Sequence, residues 1–298
     1  MASPLTTLED AARLVADGDT VALQSMATFT APMALVRELI RQERRDLTLV
    51  CLVGGIPVDW LAAAGCLARV IGAAVSMEQF GLCNRYRKAV ERGEIAVEEL
   101  SETALLARLG AGARGLPFQI TRGLVGTDLV RLAPESLALI EDPFGSGQRV
   151  VACRALIPDV ALVHAHRADE EGNVHMDPTA LWPDIRIFPK AARRVIVTVE
   201  EIVDGERLRA EPDRVVLPSF AVDAVVHVPY GAHPTSCFPR YAYDAALHRA
   251  WAAAARDEDG AREFLERYVT GPSTQAEYLD AVGGVRVLSD LERRAVAG

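Results

Sequence analysis

The sequence predicts an α/β fold, a Rossmann-like, largely parallel sheet with flanking helices, and three observations support it. Short apolar runs at 47–53, 69–75, 160–163 and 194–199 read as strands buried on both faces. Helical stretches separate them, such as the one over 57–64 opened by Pro57, which gives the strand-helix-strand alternation of a doubly wound sheet. Polar residues gather where the apolar runs end, and in open α/β sheets that carboxyl edge is where ligands bind.

In chain order, 5–16 reads as an amphipathic helix ended by Asp17 and Gly18, and 20–23 as a strand. Residues 24–30 form a loop, and Pro32 suits the first turn of a helix through Glu43. Gly54 and Gly55 make a tight strand-to-helix turn; no GxGxxG follows them. Helices are expected over 84–91 and 98–112, a Gly- and Pro-punctuated loop over 114–128, and a turn over 141–148. Gly145-Ser146-Gly147 is not a GxSxG nucleophile elbow, so a serine hydrolase loses its main support. Trp182, Pro183 and Pro189 make 181–190 look irregular. Strands at 215–217 and 224–228 and helices at 241–255, 261–270 and 274–282 complete a chain expected to form one domain over 1–298.

The central feature is DVALVHAHRADEEGNVHM at 159–176, a buried strand that breaks into a charged turn at Gly172 and Asn173, where positive φ is expected. Its His164-x-His166 pair is expected to send the two imidazoles to opposite faces, and no acidic ligand motif follows His175. The histidines are therefore read as hydrogen-bonding groups at strand ends, with no metal site.

Composition removes several classes. With 298 residues, 50% of them hydrophobic, the chain can bury a large core, while a net charge of -9 lacks the basic face that nucleic-acid binding needs. The apolar stretch 47–58 is too short to span a bilayer and contains two glycines and a proline, and MASPLTTLED has neither a basic nor an apolar leader region, so a cytoplasmic location is expected. Five cysteines without CxxC spacing suggest buried thiols rather than a disulfide framework.

Several stretches carry a resemblance: APMALVREL at 31–39, AGARGLPFQITRGLVGTDL at 111–129, ADEEGNV at 168–174, EEIV at 200–203 and VPYGAHPTSCFPRY at 228–241. In this order they are similar to the α subunit of class I CoA-transferases, the glutaconate CoA-transferase type, across nearly the whole chain. The resemblance implies a CoA-transferase (NagB/RpiA-like) fold, coenzyme A as substrate with no bound cofactor, and a β subunit in an α2β2 heterotetramer. It implies acyl or CoA contacts at Gln24, Ser25, Met26, Arg122, Gly123, Asn173 and His233. Two departures stand out. Gln24, Ser25 and Met26 occupy a region that in the family usually holds paired glycines, and 29–31 offer no Asn or Arg before the Pro-Met pair.

Within LSETALLARLG, Ser101 is a helix N-cap and Glu102 falls in the first turn, on the face of Leu105, Leu106 and Leu109. A carboxylate there complements the helix dipole. Resemblance to the ring-opening acyl-CoA hydrolases of steroid breakdown implies instead an active-site glutamate at this position. Three functions therefore stand: CoA transfer with the nucleophilic glutamate on the β subunit, ring-opening hydrolysis through Glu102, and a noncatalytic scaffold whose site has decayed.

Overall fold

The computed structural model describes residues 3–297. Its strands are β1 (Thr20–Leu23), β2 (Leu47–Gly54), β3 (Leu67–Val75), β4 (Ala96–Glu99), β5 (Phe118–Thr121), β6 (Leu137–Glu141), β7 (Arg149–Arg154), β8 (Val160–Ala168), β9 (Val174–His175), β10 (Arg194–Ile202), β11 (Val215–Leu217) and β12 (Ala224–His227). A parallel sheet runs in the order β12-β10-β8-β1-β2-β3-β4. Beyond the end of β1, the antiparallel β9 and β11 extend the sheet from the last residues of β8. A second, three-stranded antiparallel sheet has the order β5-β7-β6.

Alternation along the strands divides the core into two layers. Val21 and Leu23 of β1, with Val160 and Leu162 of β8, join one buried cluster; Ala22, Ala161, Val163 and Ala165 join the other. Each face is covered, which is why these strands read as continuous apolar runs rather than alternating ones. Strands numbered upward from β1 proceed to one side while β8, β10 and β12 proceed to the other. The order therefore reverses between β1 and β8, the position at whose carboxyl ends open α/β sheets bind ligands.

Four expectations need correction. β8 continues to Ala168, so His164 and His166 lie two residues apart in one strand and share a face instead of pointing apart. The stretch 98–112 is not one helix: its start is the edge strand β4, and the helix begins at Glu102 after the Ser101 cap, whose side chain accepts from the Ala104 N–H at 3.2 Å. The loop expected over 114–128 contains β5. Residues Pro183–Ala191 form a helix where irregular chain was expected, because Pro183 sits in the first turn, where a missing N–H costs nothing, and the helix ends two residues after Pro189.

Candidate functional site

The exit loop of β1 is fixed from four directions. The Gln24 N–H donates to Leu162 O at 3.0 Å, and Gln24 Oε1 accepts from the His164 N–H at 2.6 Å. The Ser25 N–H donates to Asp184 Oδ2 at 3.0 Å. The Ala27 N–H reaches Val53 O at 3.0 Å, and Thr30 and Ser236 exchange backbone bonds with Ser236 and Thr28. Ala27 has φ 53°, and its carbonyl lies 2.5 Å from where a side chain on Gly55 would begin, so only glycine permits that approach.

Against this rigid backbone three side-chain polar groups, on Gln24, Ser25 and Ser236, have no partner among the described residues. Gln24 Nε2 and Ser25 Oγ are buried and make no hydrogen bond among the described residues, although their side chains are 1% and 0% exposed. Most buried polar groups are satisfied, and these two stand at the strand-order reversal, where open α/β sheets bind ligands.

Asp184 holds the loop from the other side. It is completely buried in the first turn of the helix Pro183–Ala191, and its Oδ1 accepts from the Ile185 N–H at 2.8 Å. Burial pushes its carboxyl up to about 6; the N–H groups of Ile185 and Ser25 pull the other way, and the nearby charge of Glu102 adds to the rise. Glu102 itself is exposed, whereas Leu105 and Leu109 are buried. The expected position among the packed leucines is thus corrected: in the first turn the side chain leans out along a groove of about 950 Å³ that it shares with Arg114, Thr121, Trp182 and Arg186. Gly123 stands beside this turn, since a side chain there would meet Thr103 at 3.7 Å, and the exposed Arg122 precedes it.

Asn173 and His233 lie elsewhere. Asn173 closes its own turn, donating from N and Nδ2 to Asp169 at 2.8 Å each and accepting from the Ser219 N–H at 3.0 Å. Gly172 at φ 94° carries the positive-φ position there, and Asn173 does not. His233 is fully buried between Tyr278 OH at 2.7 Å and Asp244 Oδ2 at 3.3 Å, and burial pushes it below its ordinary value against the pull of Asp244. Sequence reasoning missed Asp184, although a Pro-Asp pair opening an apolar stretch is a helix-start signal.

Beneath the site lies a buried network around Glu200. His164 Nε2 at 2.8 Å, Tyr241 OH at 2.7 Å and the N–H groups of Tyr230 at 2.7 Å and Gly231 at 3.1 Å all converge on its carboxylate. Burial opposes its charge, but the bonds from His164, Tyr241 and Tyr230 outweigh it and hold Glu200 below the usual carboxylate range. His164, Glu200 and Cys237 bring potential ligand atoms within 4.8 Å of one another. Their chemistry is already committed, since His164 Nδ1 meets Thr198 Oγ1 at 2.8 Å and burial first, then the Glu200 charge, pushes the Cys237 thiol far up. His166 is neutral, driven by burial down to about 4; its Nδ1 accepts from the Asp177 N–H at 2.9 Å, so Nε2 carries the proton and donates to Phe238 O at 2.6 Å.

The family model described as Coenzyme A transferase matches residues 5–228. A protein of Archaeoglobus fulgidus is 38% identical over 296 residues, 98% of this chain, which spans 65% of that longer relative. A 3-oxoadipate CoA-transferase subunit of Pseudomonas knackmussii is 37% identical over 93% of this chain and 97% of its own length. The cholesterol ring-cleaving hydrolase IpdA subunit of Rhodococcus jostii is 31% identical over 93% and 94%. The crystal structure of glutaconate coenzyme A-transferase from Acidaminococcus fermentans superposes with a TM-score of 0.91 at 30% identity, covering 97% of this chain and 95% of that one. Sequence motifs, sheet order and these likenesses agree: the chain belongs to the class I coenzyme A transferase family, as a subunit of the α type.

Proposed function

We propose that this chain is the α subunit of a heteromeric CoA-transferase that moves coenzyme A between an acyl-CoA and a carboxylic acid. It works with a β subunit, as α2β2 in the cytoplasm, and the covalent steps run on a glutamate of that β subunit. The observation that carries the reading is the unpartnered pair Gln24 Nε2 and Ser25 Oγ at the strand-order reversal. In the first step the partner carboxylate adds to the thioester carbonyl, and collapse expels CoA thiolate to leave an acyl anhydride. The thiolate then attacks the glutamyl carbonyl of the anhydride, giving a glutamyl thioester and the free acid; an incoming acid reverses both steps. Each addition turns a carbonyl into an oxyanion, and donors held in place before the reaction stabilise that charge without reorganising. Gln24 and Ser25 take this role, with Met26 beside them; the proposed contacts of Arg122 and Gly123 follow Thr121 at the edge of the groove. The proposed part of Asn173 and His233 is indirect, since both side chains are spent on structure.

The test is CoA exchange between an acyl-CoA and a labelled acid, assayed with this chain alone, its β partner alone and the two together. Exchange only in the mixture, weakened in Gln24→Ala and Ser25→Ala, supports the reading. Full exchange by this chain alone would overturn it, and absence of acyl-CoA binding by the complex would favour the scaffold.

A second reading has its own observation: Glu102 is exposed on the groove instead of being packed among leucines. In a ring-opening hydrolase it would act as the base that activates water or takes a substrate proton. Glu102→Gln keeps size and hydrogen bonding while removing the base. A loss of turnover by roughly two orders of magnitude would favour hydrolysis, and near-normal exchange would leave transfer standing.

A further inference from the structure

Three aromatic rings from separate parts of the chain meet beside the unpartnered donors. The Phe29 ring lies 5.5 Å from that of Trp182 and 6.2 Å from that of Phe238, tilted by 45° and 39°. All three are partly exposed. Phe29 closes the turn that begins at Met26, the neighbour of Ser25, with its N–H donating to Met26 O at 2.9 Å. Trp182 is the residue before the helix that carries Asp184, and Phe238 is held through its carbonyl by His166 at 2.6 Å. Each ring therefore rides on a backbone that is itself tied down. Trp182 continues the wall into the groove, beside Leu106, Leu181 and Ile187.

The chemistry of this rim is one-sided. The loop 24–31 has no charged residue. Arg240, next but one to Phe238, is committed to Glu201 at 2.7 Å, and Arg114 donates to Gly110 O at 3.0 Å. Binding sites of this construction, an apolar wall with a few placed donors, orient a ligand by its polar head and select it by its apolar body. A carboxylate laid against Phe29 and Phe238 would lose its hydration, because the cations at hand, Arg114 and the exposed Arg186, line the groove that opens past Trp182.

Resting on the reading of this crevice as the acyl-CoA site, we infer that Phe29, Trp182 and Phe238 form its specificity wall. The acyl group it accepts is bulky and apolar, alicyclic or aromatic, in contrast to the dicarboxylates named for the glutaconate and 3-oxoadipate relatives. The thioester head meets Gln24 and Ser25 while the ring lies against Phe29 and Trp182.

The experiment compares acetyl-CoA, glutaryl-CoA and cyclohexanecarbonyl-CoA with the assembled αβ complex, by calorimetric titration and by exchange kinetics. Cyclohexanecarbonyl-CoA is expected to bind at least about 10-fold more tightly than glutaryl-CoA, and Phe29→Ala to lower the cyclohexanecarbonyl to acetyl ratio of kcat/KM by about 10-fold or more. Tighter binding of glutaryl-CoA, equal affinities, or a ratio untouched by Phe29→Ala would overturn the inference. The ranking of affinities does not depend on turnover. A preserved ranking without exchange would leave the specificity wall standing and refute CoA transfer instead.

Discussion

The carboxylate of Asp184 accepts the backbone N–H of Ser25 at 3.0 Å, joining residues 159 positions apart in the chain. Burial has pushed the Asp184 carboxyl up from 3.8 to about 6. With the folded value raised, the unfolded chain releases this proton first as pH climbs. The stability lent by protonation is complete below about 3.8 and is lost as pH passes through about 6. Asp184→Asn removes that titration. Relative to the unmodified protein, the variant should gain about 2–3 kcal/mol between pH 4 and pH 7, whatever its offset at either end. Urea denaturation at both pH values measures the difference; a pH-independent difference would show that Asp184 titrates normally.

Ser25 Oγ is buried without a hydrogen bond, a state that costs about 1–3 kcal/mol. Ser25→Ala should therefore leave thermal stability unchanged or raise it by about 1 kcal/mol, while kcat/KM for CoA exchange falls about 10- to 100-fold. A structural serine would move both quantities downward. Paired calorimetry and kinetics on one preparation separate the two cases.

The Glu200 network is expected to behave in the opposite way. Tyr241→Phe deletes a 2.7 Å donor from a buried carboxylate and should cost about 1.5–3 kcal/mol in urea unfolding. Because Glu200 is held below its ordinary value, its contribution is present above about 4.5 and is lost as pH falls through the folded value. The Tyr241→Phe cost should accordingly shrink in acid. A cost that stays constant down to pH 3 would mean that Glu200 does not depend on Tyr241 for its charge.

Arg37 ties the helix Gln275–Ala281 to its own helix, Met33–Arg41, and to the loop at His233. Its guanidinium lies 3.5 Å from the Tyr278 ring centroid and donates to His233 O at 3.0 Å and Gln275 Oε1 at 2.6 Å. Arg37→Met retains the aliphatic stem but leaves both acceptors unpaired, with an expected loss of about 2–4 kcal/mol. Limited proteolysis should then cut between 270 and 297 sooner than in the unmodified protein; an unchanged cleavage pattern would place the tie elsewhere.

Strands whose burial is written in the local sequence were legible before the structure. β1 and β11 have the bounds that their apolar residues suggest, and β2, β3, β8 and β10 were found with ends shifted. The small sheet was not legible. Phe118 and Ile120 of β5 point outward and are 47% and 53% exposed, so its apolar residues do not mark a core face. Gln24 and Ser25 could be placed at a strand exit, but their lack of partners is a tertiary fact. Asp184 and Trp182 were hidden by the prolines around them, which made a helix look like irregular chain. His164 and His166 show the cost of misreading the strand period: opposite faces were expected of a pair two apart on a strand, whereas such residues share a face along β8.

Val53, Leu162, His164, Asp184 and Ser236 together leave the β1 exit loop almost no motion of its own. The conformational entropy that a flexible recognition loop would surrender at each encounter with substrate has here been given up once, when the chain folded. On the specificity wall proposed above, discrimination would come from the shape already present: an ill-fitting acyl group would meet a wall that does not yield, and leave quickly.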